Sequence, residues 1–291
     1  MEFSIRCEKL HAIISENGAE LQSLKLDGRE YLWQGDAAYW TGRSPILFPF
    51  VGALDKKGVL LRDKYYYMPQ HGFARRSKFL PLSHSDTSIT LELTDSDISR
   101  ETYPFRFSLQ AEYTLTGSAL RIAFYVTNRD DAPMPFCIGA HPAFLCPTNG
   151  NRFEDYELVF DRKEQADSWT INAELGMIDP LALRPMLKNS SRIPLDYSLF
   201  DNGALIFNDL CSRTVTLKNR NDAHSATVDF SEFPMLGFWT PPKKRAPFLC
   251  IEPWVGVNAM IGESGRFEDK PYAVILQPGE KRSFSYTISL Q

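Results

Sequence analysis

Residues 107–128 read FSLQAEYTLTGSALRIAFYVTN. Two runs in this stretch alternate apolar and polar residues, and they flank Thr116-Gly117-Ser118-Ala119. Strict alternation marks a strand with one buried face, and a short Gly-containing break between two such runs marks a hairpin. The same signature recurs on both sides. Toward the N-terminus lie SIRC, HAIIS and LQSLKL, separated by the turn sequences ENGAE and DGR, whose Asn-Gly and Asp-Gly pairs supply positive φ. SITLELT, YELVFD, GALIFN, SRTVTLKN, ATVDFSEFPMLGFW, FLCIEPW and YAVILQPGEKRSFSYTISL complete the set. Windows of helical period are scarce; DSDISRETYP (95–104) holds one helical turn, capped by Asp95 or Ser96. Prolines fall mostly at the ends of runs, where strands tolerate them. No repeat or linker interrupts the pattern. The expectation is one all-β domain over 1–291, a large antiparallel sandwich or barrel.

Composition narrows the function. With 43% hydrophobic residues and 291 positions the chain can bury a sizeable core. A net charge of −4 and no basic stripe argue against nucleic acid. Arg75–Arg76 and Lys243–Lys244–Arg245 read as solvated loops. The N-terminal MEFSIRCEKLHAII has no apolar leader region, and no run approaches a membrane span, so a cytoplasmic protein without a membrane partner is expected. Five scattered cysteines without a C-x-x-C pair suit a reducing compartment and read as small buried apolar residues. His11, His84 and His224 read as surface residues.

Polar groups enter apolar surroundings at four places: Arg43 in TGRSPILFPFVG, His71 and Arg75 in PQHGFARR, His141 in CIGAHPAF, and Glu252 in FLCIEPWVG. A carboxylate ending an apolar run must be paired, hydrogen-bonded or functional, unless it sits on the solvent face of an edge strand. Alternation puts Cys250 and Glu252 on one face and Leu249 and Ile251 on the other. Pro142 keeps His141 out of helical geometry, and Gly72 lets backbone or ligand approach beside His71. Each histidine alone reads more often as a satisfied core residue than as a catalyst. Taken together, a neutral-pH acid (His), an ionised base (Glu) and guanidinium donors suit proton transfer on opposite sides of a small polar molecule. Trp40, Trp239 and Trp254 offer flat faces to a sugar ring, or plain core.

The ordered segments SPILFPFVG, QHGFARRSKF, GAHPAF, GFWTPP, FLCIEPWVG and LQPGE resemble the aldose 1-epimerase (galactose mutarotase-like) superfamily, from about Asn17 to Lys281. Within it they are most similar to LacX-type proteins and hexose-6-phosphate mutarotases. The resemblance implies a β-supersandwich with an open cleft, and interconversion of the α and β anomers of a sugar or sugar phosphate without metal or cofactor. It implies Glu252 as general base, His141 as general acid, and His71 as support for the ring oxygen or a nearby hydroxyl. It implies Arg43 and Arg75 as substrate anchors, with Trp239 also in the substrate-binding set. A monomer or homodimer is expected.

One feature departs from the family pattern. Where an Asp is expected to bind sugar hydroxyls, the chain reads SLFDNGALIFND, with Gly or Asn at that place and Asp201 as the nearest substitute. Fewer hydroxyl partners and several basic residues, among them Arg76 and Lys78, lean toward an anionic aldose. Two rivals remain. His71, His141 and Glu252 form a two-His, one-carboxylate metal set on paper, although no His-x-Asp/Glu pair supports it. A non-catalytic sugar-binding or regulatory protein would keep the aromatic residues and arginines but has no need of both acid and base.

Overall fold

The computed structural model describes residues 1–55, 58–148 and 150–291. The hairpin at 107–128 forms as read: strands Phe107–Thr116 and Ala119–Asn128 pair in unbroken antiparallel register from Phe107↔Asn128 to Thr116↔Ala119. Alternate positions of Phe107–Thr116 are buried, among them Leu109, Ala111, Tyr113 and Leu115, which is the physical meaning of the alternation.

This hairpin belongs to a sheet of 15 strands among the described residues. Its path starts at Ile46–Leu47 and runs through Ile138–Ala140, Phe248–Val255, Met235–Trp239, Leu205–Asn208 and Tyr156–Ile171. It continues through Thr214–Asn219, Ser225–Asp229, Lys281–Leu290, Ala119–Asn128, Phe107–Thr116 and Ser88–Thr94 to Leu80–His84. A twisted sheet this wide must curl or split, and here its ends meet. Phe48, next to the first strand, packs against Phe107 near the other end at 5.2 Å between ring centroids. The two halves therefore face each other across one apolar core that holds Phe50, Phe79, Phe124 and Phe136. A separate four-stranded sheet, Glu2–Cys7, Leu10–Ser15, Leu21–Leu26 and Arg29–Glu30, covers one side. Tyr113 Oη ties it down by donating to the Ala19 carbonyl at 2.6 Å.

The expected helical turn is the α-helix Asp97–Thr102, with Ser96 rather than Asp95 as cap: the Ser96 hydroxyl accepts from Ser99 N–H, and Ser99 returns the bond. No helix among the described residues is long and apolar enough to cross a membrane. All five cysteines are free; Cys137, Cys146 and Cys250 are buried as expected, whereas Cys211 is exposed.

One long hairpin escapes the sequence pattern. Tyr156–Ile171 pairs with Ile178–Pro194, with four shifts of register along its length. Each shift breaks strict alternation, and Pro180 and Pro185 lie inside the second strand, so period two is lost there. The tip of this hairpin returns to the segment that follows the strand Phe248–Val255: Ile178 N–H donates to Ala259 O at 2.8 Å, and Ile261 N–H donates to Ile178 O at 2.9 Å.

Candidate active site

The strand Phe248–Val255 is buried at all eight positions. It lies between Met235–Trp239 on one side and Ile138–Ala140 and Ala143–Leu145 on the other. The edge-strand reading of Glu252 therefore fails: it is a central-strand carboxylate, 2% exposed. Glu252 and Trp254, on one face of this strand, belong to the floor of a cleft of about 360 Å³.

Cross-strand register lays out this floor. Glu252 stands opposite Gly237, Gly237 opposite Ile206, and Ile206 opposite Trp169. Residues directly opposite share a face. Gly237 in this row and Gly139 opposite Trp254 make room for an indole: a Cβ on Gly139 would lie 2.7 Å from Trp254 Cδ1, and one on Gly237 would lie 2.5 Å from Trp254 Cη2. Trp254 thus spreads across both neighbouring strands. That is the physical reason for glycine in the GAHPAF and GFWTPP segments.

His141 follows the strand Ile138–Ala140 directly, and its Nε2 lies 3.2 Å from Glu252 Oε2. Trp40 stacks on the imidazole at 4.9 Å, while Trp239 and His71 meet it edge-on, both at 5.6 Å. His141 Nδ1 is buried without a partner among the described residues. Burial disfavours charge on both groups of the pair: it pushes the Glu252 carboxyl well above the usual carboxylate range and the His141 imidazolium well below the usual histidine range. Trp254, whose Nε1 is buried without a hydrogen bond of full geometry, opposes the shift at Glu252. The two groups stand side by side, not across the cleft as the residue types alone suggested.

His71 occupies the left-handed region, φ +65°, a conformation that costs a non-glycine residue about 1–2 kcal/mol. Three hydrogen bonds hold it there. Its N–H donates to Gly52 O at 2.7 Å, its carbonyl accepts from Phe48 N–H at 3.3 Å, and its Nδ1 accepts from Gly52 N–H at 3.1 Å. An Nδ1 that accepts leaves the ring proton on Nε2. Burial, the neighbouring His141 and Arg75 all lower the His71 pKa, so the ring is a neutral donor. Gly72 admits backbone rather than ligand: a Cβ there would lie 2.2 Å from the Phe48 carbonyl oxygen.

Of the other sequence-derived candidates, Arg75 and Trp239 line the cleft. Arg75 forms no ion pair among the described residues, and its Nε is buried and unpartnered. Arg43 does not line the cleft. Its guanidinium donates to the Gln22 side chain and, at 2.9 Å, to the Gln34 carbonyl, which braces the N-terminal sheet. Asp201 caps the short 3-10 helix Tyr197–Phe200 and is exposed; Gly203 and Ala204 line the cleft in its stead. Arg76 and Lys78 face solvent, Lys78 with Glu16 at 3.3 Å.

The sequence pattern did not single out Asn258 or Gln70, which also line the cleft. Asn258 Oδ1 accepts from Ala53 N–H, and its Nδ2 donates to Gly176 O at 2.8 Å. It joins the segment that holds His71 to the tip of the long hairpin. An Asn inside the otherwise apolar VGVNAM was the available signal. Cys250 adds a third donor beside the His141–Glu252 pair: one ligand atom each from His141, Cys250 and Glu252 lie within 4.8 Å of one another, all buried.

The family model described as aldose 1-epimerase matches residues 1–289. Protein LacX (chromosomal) of Lactococcus lactis subsp. lactis is 36% identical over 298 aligned positions, covering 100% of this chain and 99% of the relative. A crystal structure of a galactose mutarotase-like protein from Lactobacillus casei superposes with a TM-score of 0.94 at 32% identity, covering 100% of both chains. A galactose mutarotase related enzyme from Lactobacillus acidophilus superposes with a TM-score of 0.94 at 30% identity, covering 100% of this chain and 97% of that one. The fold is the galactose mutarotase-like antiparallel sandwich.

Proposed function

The chain belongs to the aldose 1-epimerase family, and on that premise we propose that it interconverts the α and β anomers of a hexose or hexose phosphate. The observation that carries this reading is the buried His141–Glu252 contact of 3.2 Å opening on a cleft walled by tryptophan. The anomeric oxygen O1 and the ring oxygen O5 are bonded to the same carbon. A base for one and an acid for the other therefore belong side by side.

The proton count agrees. Ionised Glu252 beside neutral His141 would bury a net negative charge, which low-dielectric surroundings penalise. The pair instead retains one proton, shared across the contact. With that proton on His141, Glu252 takes the proton of the O1 hydroxyl, and the O–H electrons form the C1=O1 double bond. The C1–O5 bond breaks, its electron pair goes to O5, and O5 takes the proton from His141. The open aldehyde rotates about C1–C2, and closure runs the same transfers backward. Net charge in the pair does not change at any step, which suits a dry site. His71 Nε2–H holds a ring or hydroxyl oxygen, Trp254 and Trp239 receive the C–H faces, and Arg75 supplies donors at the rim.

Arg75 is the one Lys or Arg lining the cleft among the described residues, so a phosphorylated aldose has a single guanidinium to meet. Exchange NMR on glucose, galactose and their 6-phosphates, with wild type and Arg75→Ala, tests both points. Anomerisation well above the buffer rate is expected with at least one substrate. Binding without acceleration on the whole panel would leave a carbohydrate-binding protein. Galactose faster than either phosphate, with Arg75→Ala unchanged, would remove the phosphorylated substrate.

A further inference from the structure

The cleft has one wall without a hydrogen-bonding side chain. Ile171, Gly203, Ala204 and Ile206 all line it, and they are contiguous. A Cβ on Gly203 would meet Ile171 Cδ1 at 3.9 Å. Ile206 stands opposite Trp169, two residues from Ile171 on the same strand. Register fixes where this wall lies relative to the reacting pair. Ile206 and Glu252 occupy one row of the sheet face, with Gly237 between them. Two strand spacings of about 4.8 Å put Ile206 about 10 Å from Glu252. The hydrogen-bonding side chains of the cleft, Gln70, His71, Arg75, His141, Glu252 and Asn258 together with the indole N–H donors of its tryptophans, come from other segments. A sugar that has its anomeric carbon at Glu252 and extends along this row turns its distal edge to aliphatic carbon.

We infer that the preferred substrate is an aldose with a deoxygenated distal edge, a deoxy sugar, and that Ala204 and Ile171 determine this preference. The inference rests on the mutarotase reading and deepens it. A distal hydroxyl pressed on this wall gives up its bonds to water and regains none from a side chain. The expected discrimination is modest, because an apolar pocket rejects an added hydroxyl by no more than about 10²-fold. An Asp at Ala204 would supply the missing acceptor.

The test measures kcat/KM by exchange NMR for D-galactose against 6-deoxy-D-galactose, and for D-glucose against 4-deoxy-D-glucose and 6-deoxy-D-glucose. At least one deoxy sugar is expected to exceed its parent by about tenfold or more. Ala204→Asp is expected to bring that ratio to unity or below. Ile171→Asn, a half-buried position at the hairpin tip, should move it the same way. Parent sugars anomerised as fast as every deoxy sugar, or a ratio unmoved in both folded variants, overturns the inference and leaves the mutarotase intact. No acceleration of any sugar overturns both.

Discussion

Two contacts between largely buried ionisable side chains, among the described residues, are built differently. Lys270 Nζ meets Glu263 Oε2 at 2.7 Å, with side chains 1% and 14% exposed. The ammonium also lies 4.9 Å from the Phe50 ring centroid, and Glu263 Oε2 accepts from Met260 N–H at 3.1 Å. Each charge there has more than one partner. His141 and Glu252 are buried as deeply, 8% and 2%, yet His141 Nδ1 beside them finds no partner and Trp254 Nε1 makes no hydrogen bond of full geometry. A buried pair kept for structure satisfies its groups; on the proposed function, His141 and Glu252 leave capacity open for a substrate.

The sharpest way to break this comparison is to remove each pair in turn. Glu252→Gln and His141→Asn are each expected to slow anomerisation by 10²-fold or more, toward the lower end of the roughly 10²–10⁴ that acid–base groups contribute. Polarimetry reads this, with circular dichroism to check folding; near-wild-type rates in both variants would end the assignment. Stability should move the other way. The folded Glu252 pKa lies above its unfolded value, so the folded state binds the extra proton and loses stability as pH rises from the unfolded carboxyl pKa through the folded one. Glu252→Gln should therefore raise Tm relative to wild type at neutral pH, and the gain should vanish below about pH 4. The folded His141 pKa is lowered, so wild type loses stability as pH falls below the usual histidine pKa. The gain from His141→Asn should accordingly grow in acid. Two gains of opposite pH slope are the signature of a site held neutral by burial.

Lys270→Met supplies the contrast. Removing one partner of a buried pair costs about 3–5 kcal/mol. The effect here belongs at the lower end, since Glu263 keeps its Met260 N–H. Urea denaturation should show the loss, while kcat per folded molecule stays within about twofold of wild type. A large drop in kcat at full folding would mean that this pair too serves the cleft.

What the sequence revealed follows from where periodicity survives. The hairpin at 107–128 has no register shift, so alternation marked it. The hairpin at 156–194 carries four, and its second strand, with Pro180 and Pro185, was invisible to the same test. That hairpin mattered, because Ile171, the last residue of its first strand, lines the cleft, and the Gly176 carbonyl in its turn accepts from the cleft residue Asn258. Glu252 and His141 were legible as polar residues in apolar runs. Arg43 carried the same signal and is a brace, because Gln22 and the Gln34 carbonyl approach it from segments whose arrival no local pattern announces.

Asn258 offers a smaller effect. Asn258→Ala removes the acceptor for Ala53 N–H and the donor to Gly176 O, and so loosens the segment through which Gly52 holds the His71 ring. Misplacing a positioning group by about 1 Å costs about 10²-fold; the smaller slip expected here should cost about tenfold, chiefly as raised KM. Asn258→Asp keeps the acceptor and should recover part of the loss. Equal kinetics for both variants and wild type would separate Asn258 from His71.

The smallest expected effect is that of metal removal, and it tests whether the open capacity of the pair is kept for a substrate or for an ion. His141, Cys250 and Glu252 bring three donor atoms within 4.8 Å of one another. An i, i+2 pair on one strand plus a histidine from the next segment is a spacing that a scan for short motifs overlooks. Ligands must be deprotonated to bind. Burial and the neighbouring Glu252 push the Cys250 thiol well above its usual range, and burial raises the Glu252 carboxyl. An ion entering here must drive off both protons in a dry site and break the His141–Glu252 contact. Purified protein is therefore expected to carry no stoichiometric zinc, iron or manganese and to keep its anomerisation rate in EDTA. Cys250→Ala, which removes the softest donor and touches neither the acid nor the base, should keep turnover within about twofold of wild type. Elemental analysis finding about one ion per chain, with activity lost on chelation and in Cys250→Ala alike, would turn the acid–base pair into a ligand set and reverse the reading of its unpartnered atoms.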